Sequence, residues 1–329
     1  MSMKGWCVTA LGEPHVAMTL ADIDVPQPGP AQVLVRVHAS AANFADALMC
    51  RGEYQIRPEL PFTPGVELCG EVVAVGQGVS RLSVGQRVLG LSSLPHGGFA
   101  EFALMNEVTT HDAPRSLDNA EAAAFFLGYQ TGWFGLHRRA RLCPGETLLV
   151  HAAAGGVGSA AIQLGKAAGA RVIGVTGGAE KAEYARRLGA DVVVDRRSED
   201  FVEVVKRETE GRGADVIYDP VGGEVYERST KCVAFEGRIL VVGFASGTIQ
   251  KVALNHALVK NYSILGLHWG LYNKVDPTAV AACHRELTAL SDSGAIGPFV
   301  SGRFGIEETA NALQRLADGK TVGRLVFEM

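Results

Sequence analysis

Between residues 147 and 164 the chain reads Thr147-Leu148-Leu149-Val150-His151, then Ala152-Ala153-Ala154-Gly155-Gly156-Val157-Gly158, then Ser159-Ala160-Ala161-Ile162-Gln163-Leu164. A β-type apolar run, a bare small-residue turn and a helix-type apolar run follow one another. That order is what a dinucleotide pyrophosphate needs: a tight turn, a backbone the ligand can approach, and exposed N–H groups at a helix N-terminus. Ala153, Gly155 and Gly158 occupy the three positions of the G-x-G-x-x-G pattern, with Ala153 replacing the first glycine and Gly156 and Val157 lying between the other two. A glycine-rich turn alone carries little weight. Here the strand before it, the helix after it and further strands downstream identify a nucleotide site.

The second strand of this alternation bears on the choice of cofactor. An NAD site usually ends that strand with Asp or Glu, which holds the ribose 2′-hydroxyl. This strand ends Val175-Thr176-Gly177-Gly178 without a carboxylate. Lys181 follows at the start of the next helix, where its charge and the helix N-terminus both favour an anion. Thr176, Gly177 and Lys181 are therefore expected to accept a 2′-phosphate, and NADPH is the expected cofactor; the competing reading of Lys181 is an exposed helix lysine. Gly243-Phe244-Ala245-Ser246 follows the fifth strand, and doubly wound sheets bind ligands outside the carboxyl ends of their strands. Backbone at Gly243 and Phe244 is expected to meet the nicotinamide ribose and carboxamide. His268-Trp269-Gly270 follows the sixth strand and is expected at a substrate cleft, with a core tryptophan as the alternative. His151 reads as a structural histidine, Asp219 as the anchor of the Pro220 to Gly223 turn, and Lys320 and Arg324 as solvated surface charges.

The elements that position these residues change rhythm near residue 128. Before it, short apolar runs such as Val33 to Val37, Gly70 to Gly76 and Gln86 to Gly90 are broken by Pro and Gly, the pattern of a β-rich, barrel-like domain. After it, strands at Thr147 to His151, Arg171 to Thr176, Asp191 to Asp195, Ala214 to Tyr218, Arg238 to Val242 and Ser263 to Leu267 alternate with helix-length segments, the pattern of a parallel doubly wound sheet. The tail has helices over Ala279 to Ser291 and Ile306 to Asp318 and a last strand at Arg324 to Phe327; it lacks nucleotide features and is assigned to the first domain. The expected organisation is 1–127 with 268–329, and 128–267.

With 329 residues the chain is long enough for two domains. Its 47% hydrophobic and 20% charged residues exclude a disordered chain. A net charge of −4 without a basic run argues against nucleic acid or an anionic membrane as a main partner, leaving small molecules. The six cysteines never stand within three residues of each other, so they form neither a redox C-x-x-C pair nor a clustered zinc lobe. No secretion-type apolar core follows Met1, and no stretch approaches the roughly 20 residues of a membrane span. Cytoplasmic residence is the expectation.

Taken together with Asn43-Phe44-Ala45-Asp46, Leu60-Pro61-Phe62-Thr63-Pro64-Gly65-Val66-Glu67, Gly97-Gly98-Phe99-Ala100-Glu101 and Asp219-Pro220-Val221-Gly222-Gly223, the order of parts resembles the medium-chain dehydrogenase/reductase superfamily over essentially the whole chain. Within it the likeness is to the zinc-free quinone oxidoreductase group that includes zeta-crystallin. The resemblance implies a GroES-like β-rich catalytic domain beside a Rossmann doubly wound nucleotide domain, hydride transfer from NADPH to a quinone, and a homodimer joined through the edge strand of the nucleotide sheet. Zinc relatives carry Cys near the position of Asn43 and G-H-E where this chain reads Gly65-Val66-Glu67, so no metal is expected.

The same resemblance puts Asn43 and Asp46 near the nicotinamide, Asn43 donating to the acceptor oxygen and Asp46 orienting the cofactor or the Asn43 amide. The alternative for both is an N-cap of a short helix from Phe44 to Met49. Tyr54 matches the tyrosine proton donor of related enoyl-thioester reductases, an enoyl or enone acceptor being the second functional reading. A cleft-lining Tyr54 is its alternative. A third reading is a crystallin-like protein that binds NADPH without turnover.

Overall fold

The computed structural model describes residues 1–329. The chain forms two compact units, Met1–Leu127 with His284–Met329, and Gly128–Cys283. Residues 268–283 thus belong with the second unit, where the tail was expected to have already left it. They are held there by three contacts: the Gln130 amide donates to the Val280 carbonyl at 3.1 Å, the Phe134 and Tyr272 rings lie 4.3 Å apart, and Arg138 pairs with Asp276 at 2.8 Å.

In the first unit a six-stranded sheet runs in the order Val300–Gly305, Arg324–Glu328, Gln32–Ala41, Glu67–Val75, Arg87–Ser92, Phe102–Asp112. Gln32–Ala41 pairs with both Glu67–Val75 and Phe102–Asp112, so four of the strands close on themselves as a barrel. Side chains alternate across a strand, and Val33, Val35 and Val37 accordingly share a core with Leu68, Val72, Val88 and Met105. The strand Val300–Gly305, whose exposure alternates residue by residue, adds parallel to the last strand. It was missed in the sequence because Ser301-Gly302-Arg303 breaks its apolar run.

The second unit is built on six parallel strands: β1 (Thr147–Val150), β2 (Arg171–Thr176), β3 (Val192–Asp195), β4 (Ala214–Asp219), β5 (Val233–Val241) and β6 (Ser263–Gly266). Their order is β6-β5-β4-β1-β2-β3, and every neighbouring pair is parallel. The strand order reverses between β1 and β4. In a sheet of this kind that reversal opens a ligand crevice outside the carboxyl ends of the strands. Leu149, Ile173, Ile217 and Ile239 fill one face of the sheet against Phe201, Val205 and Tyr226.

A helix over Phe126–Trp133 continues as a π-helical turn, Phe134–Arg139. Glycines bring it close to its neighbours in this unit. A Cβ on Gly132 would stand 2.7 Å from Leu164 Cδ1, and one on Gly135 would stand 2.7 Å from Leu240 Cδ2.

Candidate functional site

The glycine turn has the shape its sequence implies. After β1 the chain passes through Ala152 at φ 47, the Ala153 N–H bonds to the Val175 carbonyl at 3.0 Å, and the Gly155 N–H bonds to the Ala152 carbonyl at 2.8 Å. Gly155 is the N-cap of the helix Gly156–Ala167, whose first N–H groups lack intrahelical acceptors as at any helix start. A Cβ on Gly158 would fall 2.3 Å from the Ala152 carbonyl oxygen, so only glycine fits there. A methyl group at Ala153 is tolerated because Gly174 on β2 leaves room: a Cβ on Gly174 would crowd the Ala153 methyl at 3.1 Å.

At the end of β2, Thr176 is buried and its hydroxyl oxygen has no partner. Strand register sets Thr176 beside Asp195 at the end of β3, and the Arg196 N–H donates to the Thr176 carbonyl at 3.0 Å. Two arginines therefore reach the turn after β2. Arg196 Nε lies 3.2 Å from where a Gly177 Cβ would be, and Arg197 Nη1 lies 3.0 Å from that of Gly178. The helix Ala179–Arg187 starts there and carries Lys181. Burial lowers the Lys181 pKa, and the Arg197 and Arg196 charges lower it further. Three cations converge on one glycine turn with no carboxylate in the position that would hold a 2′-hydroxyl. Asp195 also stands at this turn, its Oδ1 accepting the Gly178 and Arg197 N–H groups at 2.8 and 3.1 Å, so one carboxylate offsets part of the three positive charges and the balance stays positive. Sequence reasoning missed Arg196 and Arg197; the signal available was an Arg-Arg pair directly after the third strand.

At the opposite side of the strand reversal, Gly243 and Phe244 follow β5 in a loop that bonds to the turn after β4, with Ala245 N–H on the Pro220 carbonyl and Ser246 N–H on the Val221 carbonyl, both at 3.0 Å. His268 lines a cavity of about 290 Å³ with Arg139, Leu267, Leu271, Tyr272 and Val275. Trp269 is buried at 7% exposure, which corresponds to the core alternative and not to an open aromatic platform. His151 is structural: it is buried against Phe201, its Nε2 is 2.8 Å from the Ser229 hydroxyl, and burial pushes its pKa down to about 3.

The remaining expected residues lie in the first unit. Asn43 precedes the helix Phe44–Arg51 as its N-cap, and the Asp46 carboxylate accepts the Asn43 backbone N–H at 2.9 Å. The other Asp46 oxygen accepts the N–H groups of Gly65 and Val66 at 3.1 and 3.0 Å. Burial pushes this carboxyl up to about 7, against the pull of those three donors. Asp46 is fully buried and tethers backbone, which corresponds to the capping alternative.

The Asn43 side chain turns inward as well. Its amide donates to the Ala41 carbonyl and to Glu67 Oε2, each at 3.1 Å, and its oxygen accepts from Arg324 Nη1 at 3.0 Å. Both amide hydrogens are committed, so the expected donation to an acceptor oxygen has no hydrogen to use in this arrangement. Arg324 completes the group with Nη2 on Glu67 Oε2 at 2.5 Å, while Glu67 Oε1 accepts the Leu127 N–H at 2.7 Å. Arg324 is 5% exposed. The expectation of a solvated charge is corrected: strand pairing of Val326 with Ala41 carries this arginine into the barrel wall.

Tyr54 stands just past the left-handed Gly52 that ends the helix at φ 71. It is half-buried against the local apolar cluster, and burial, with Asp46 as a second cause, raises its phenol pKa. At neutral pH it keeps its proton.

A family model described as alcohol dehydrogenase GroES-like domain matches residues 29–115, and one described as zinc-binding dehydrogenase matches residues 156–284. A quinone oxidoreductase-like protein 2 homolog from Nematostella vectensis is 41% identical over 301 residues, 91% of this chain and 82% of that protein. The solved structure of mycobacterial Rv1454c complexed with NADPH superposes with a TM-score of 0.92 at 32% identity, covering 100% of both chains. That of Escherichia coli quinone oxidoreductase complexed with NADPH gives 0.90 at 30%, covering 100% of this chain and 99% of the other.

The residues of this chain do not fit the metal that the second model's description names. No three His, Cys, Asp or Glu side chains converge in metal-holding geometry, and Glu67 has given its lone pairs to Asn43, Arg324 and Leu127. In fold, motif and sequence alike, the chain belongs to the quinone oxidoreductase group of the medium-chain dehydrogenase/reductase superfamily.

Proposed function

We propose that this chain is a zinc-independent oxidoreductase that uses NADPH to reduce a quinone. The observation that carries the cofactor assignment is the convergence of Lys181, Arg196 and Arg197 on the Gly177-Gly178 turn, where NAD sites carry a carboxylate. Three cations around a bare backbone turn favour a dianionic 2′-phosphate over a hydroxyl. Ala153, Gly155, Gly156, Val157 and Gly158 would hold the pyrophosphate, the orphaned Thr176 hydroxyl would face the ribose, and Gly243 and Phe244 would meet the nicotinamide half. Bound NADPH supplies a hydride. The protein's part is to orient the cofactor and exclude water, and with no metal to polarise the acceptor, an acceptor that is already electron-poor is required.

A half-buried, protonated Tyr54 supports a second reading, reduction of an enoyl thioester or enone, because the enolate left by hydride addition needs a proton. One experiment separates the two: cofactor oxidation by the purified chain with an ortho-quinone, with crotonyl-CoA and with neither, using NADPH and NADH in parallel, and repeated with Tyr54→Phe. Turnover with the quinone and NADPH, unaffected by the substitution, is expected. Turnover with crotonyl-CoA alone, abolished in Tyr54→Phe, would replace the quinone reading, and no turnover with either acceptor while NADPH binds would leave the crystallin-like reading. Metal analysis should find far less than one zinc per chain.

Homodimerisation in the cytoplasm is part of the same proposal. No helix is long and apolar enough to cross a membrane, β6 is hydrogen-bonded only on its β5 side, and the helix Leu254–Lys260 before it buries none of its residues. Leu254, Leu258 and Val259 stand more than 70% exposed on that helix. A bare strand edge beside an apolar helix face is the liability that a second copy would cover.

A further inference from the structure

At the carboxyl ends of β4 and β5 the second unit contains a polar construction that the nucleotide site does not explain. Asp219 closes β4 and is 1% exposed. Its Oδ1 accepts the N–H groups of Val221 and Gly222 at 2.8 and 3.0 Å, folding the chain back immediately. Gly222 and Gly223 follow with φ of 70 and 58, a region open to glycine and strained for other residues. The loop after β5 rests on this turn. Ala245 and Ser246 donate to its carbonyls, and a Cβ on Gly222 would stand 2.8 Å from Phe244 Cδ1 and 3.0 Å from Gln250 Oε1. From the far end of the loop, Gln250 Oε1 accepts the Gly223 N–H at 3.0 Å.

The two segments are thus bonded at both ends of their contact, by backbone at Ala245 and Ser246 and by a side chain at Gln250. We propose that Gln250 and Asp219 are positioning residues for the nicotinamide half of the cofactor: through the Pro220–Gly223 turn they fix the backbone of Gly243 and Phe244 before the cofactor arrives. This rests on the NADPH reading above. A loop already held in its binding conformation does not have to be ordered on association, and that saved ordering appears as affinity. Both side chains act through the turn, whose N–H groups they accept.

The test combines a readout that needs no cofactor with one that does. In Gln250→Ala, amide hydrogen exchange at Gly223, Ala245 and Ser246 is expected to speed up in the cofactor-free protein. Loss of one hydrogen bond should also weaken NADPH binding about fivefold. The KM for NADPH should rise with it while the KM for the quinone stays put, a split that general destabilisation would not produce. Gln250→Glu keeps an acceptor for the Gly223 N–H and should restore slow exchange. Asp219→Asn keeps the oxygen that caps the turn and should show slower exchange and tighter NADPH binding than Asp219→Ala, which should behave as Gln250→Ala. Unchanged exchange in Gln250→Ala overturns the lock, and faster exchange with unchanged NADPH affinity overturns its positioning role. If the unsubstituted chain binds no NADPH, the cofactor reading fails and the positioning role with it, even where the exchange data show the lock to exist.

Discussion

Removing the Arg324 guanidinium would leave the Glu67 carboxylate fully buried with only neutral donors, the Asn43 amide and the Leu127 N–H. Breaking one side of a buried ion pair costs about 3–5 kcal/mol. Arg324→Ala should therefore lower stability by an amount of that order in chemical denaturation, and Arg324→Lys should recover only part of it, because a single ammonium cannot bond Asn43 and Glu67 in the same fork. Asn43 is drawn into the pair through its own amide. At the cofactor end the prediction concerns selectivity rather than stability. Lys181→Ala and Arg196→Ala should each reduce the preference for NADPH over NADH by about tenfold, the worth of one charge-assisted contact, measured as the ratio of kcat/KM for the two cofactors. A loss that is equal for NADPH and NADH would contradict a 2′-phosphate site. Lys181 is legible in the sequence because it follows the strand it serves. Arg196 is visible only as half of an Arg-Arg pair after the third strand, and that it reaches the turn after the second is decided by sheet pairing.

Among the elements, the strand–turn–helix at 147–167 declares itself in the sequence, since its apolar runs and glycines are contiguous and local sterics at Gly158 fix the turn. The edge at β6 is different in kind: its four residues look like any other short strand, and only the sheet order makes it terminal. If the helix Leu254–Lys260 and β6 form the homodimer contact, a charge at the 76%-exposed Leu258 should disrupt it. Leu258→Asp is expected to run as a single chain of 34.8 kDa by light scattering with NADPH binding retained, where the unsubstituted protein runs at twice that mass. A single-chain mass for both would remove the dimer. The helix Pro277–Asp292 is legible as an element but not as a boundary, because the chain passes from one unit to the other within it, between Cys283 and His284.

For the molecule as a whole, pH stability is set by buried groups whose protonation differs between the folded and unfolded chain. His111 and His284 lie 4.8 Å apart by ring centroids, and His111 Nε2 and His284 Nδ1 are buried without partners. Burial, then the His284, Arg81 and Arg285 charges, push His111 down to about 3, and burial lowers His284 as well. Between the ordinary histidine value of about 6.5 and that depressed one, the unfolded chain takes up a proton that the folded chain refuses. Stability from this group is complete above about pH 6.5 and is lost as pH falls toward 3, at about 1.4 kcal/mol per unit. Asp46, Glu67 and Asp219, raised by burial, act with the opposite sign, so the informative quantity is a difference. His111→Phe, which keeps the stack on Phe126 and removes the orphaned nitrogen, should flatten the acid limb of the stability curve by about one proton's slope relative to the unsubstituted protein. Identical acid limbs would show that His111 does not couple folding to protons.

The sequence by itself determined what depends on near neighbours: the β-rich first part, the βα alternation of the second, the glycine turn, and the missing carboxylate after β2. Each follows from side-chain periodicity or backbone sterics within a few residues. Tertiary structure alone decided which polar groups face one another across long separations. It turned Arg324 from a surface charge into the partner of Glu67, withdrew Asn43 and Asp46 into backbone and ion-pair bonding, buried Trp269, and brought Arg196 and Arg197 to the turn that Lys181 serves. Strand pairing and burial join residues by register rather than by spacing along the chain, and the hydrogen bonds a buried polar group must make are chosen only when that register is set.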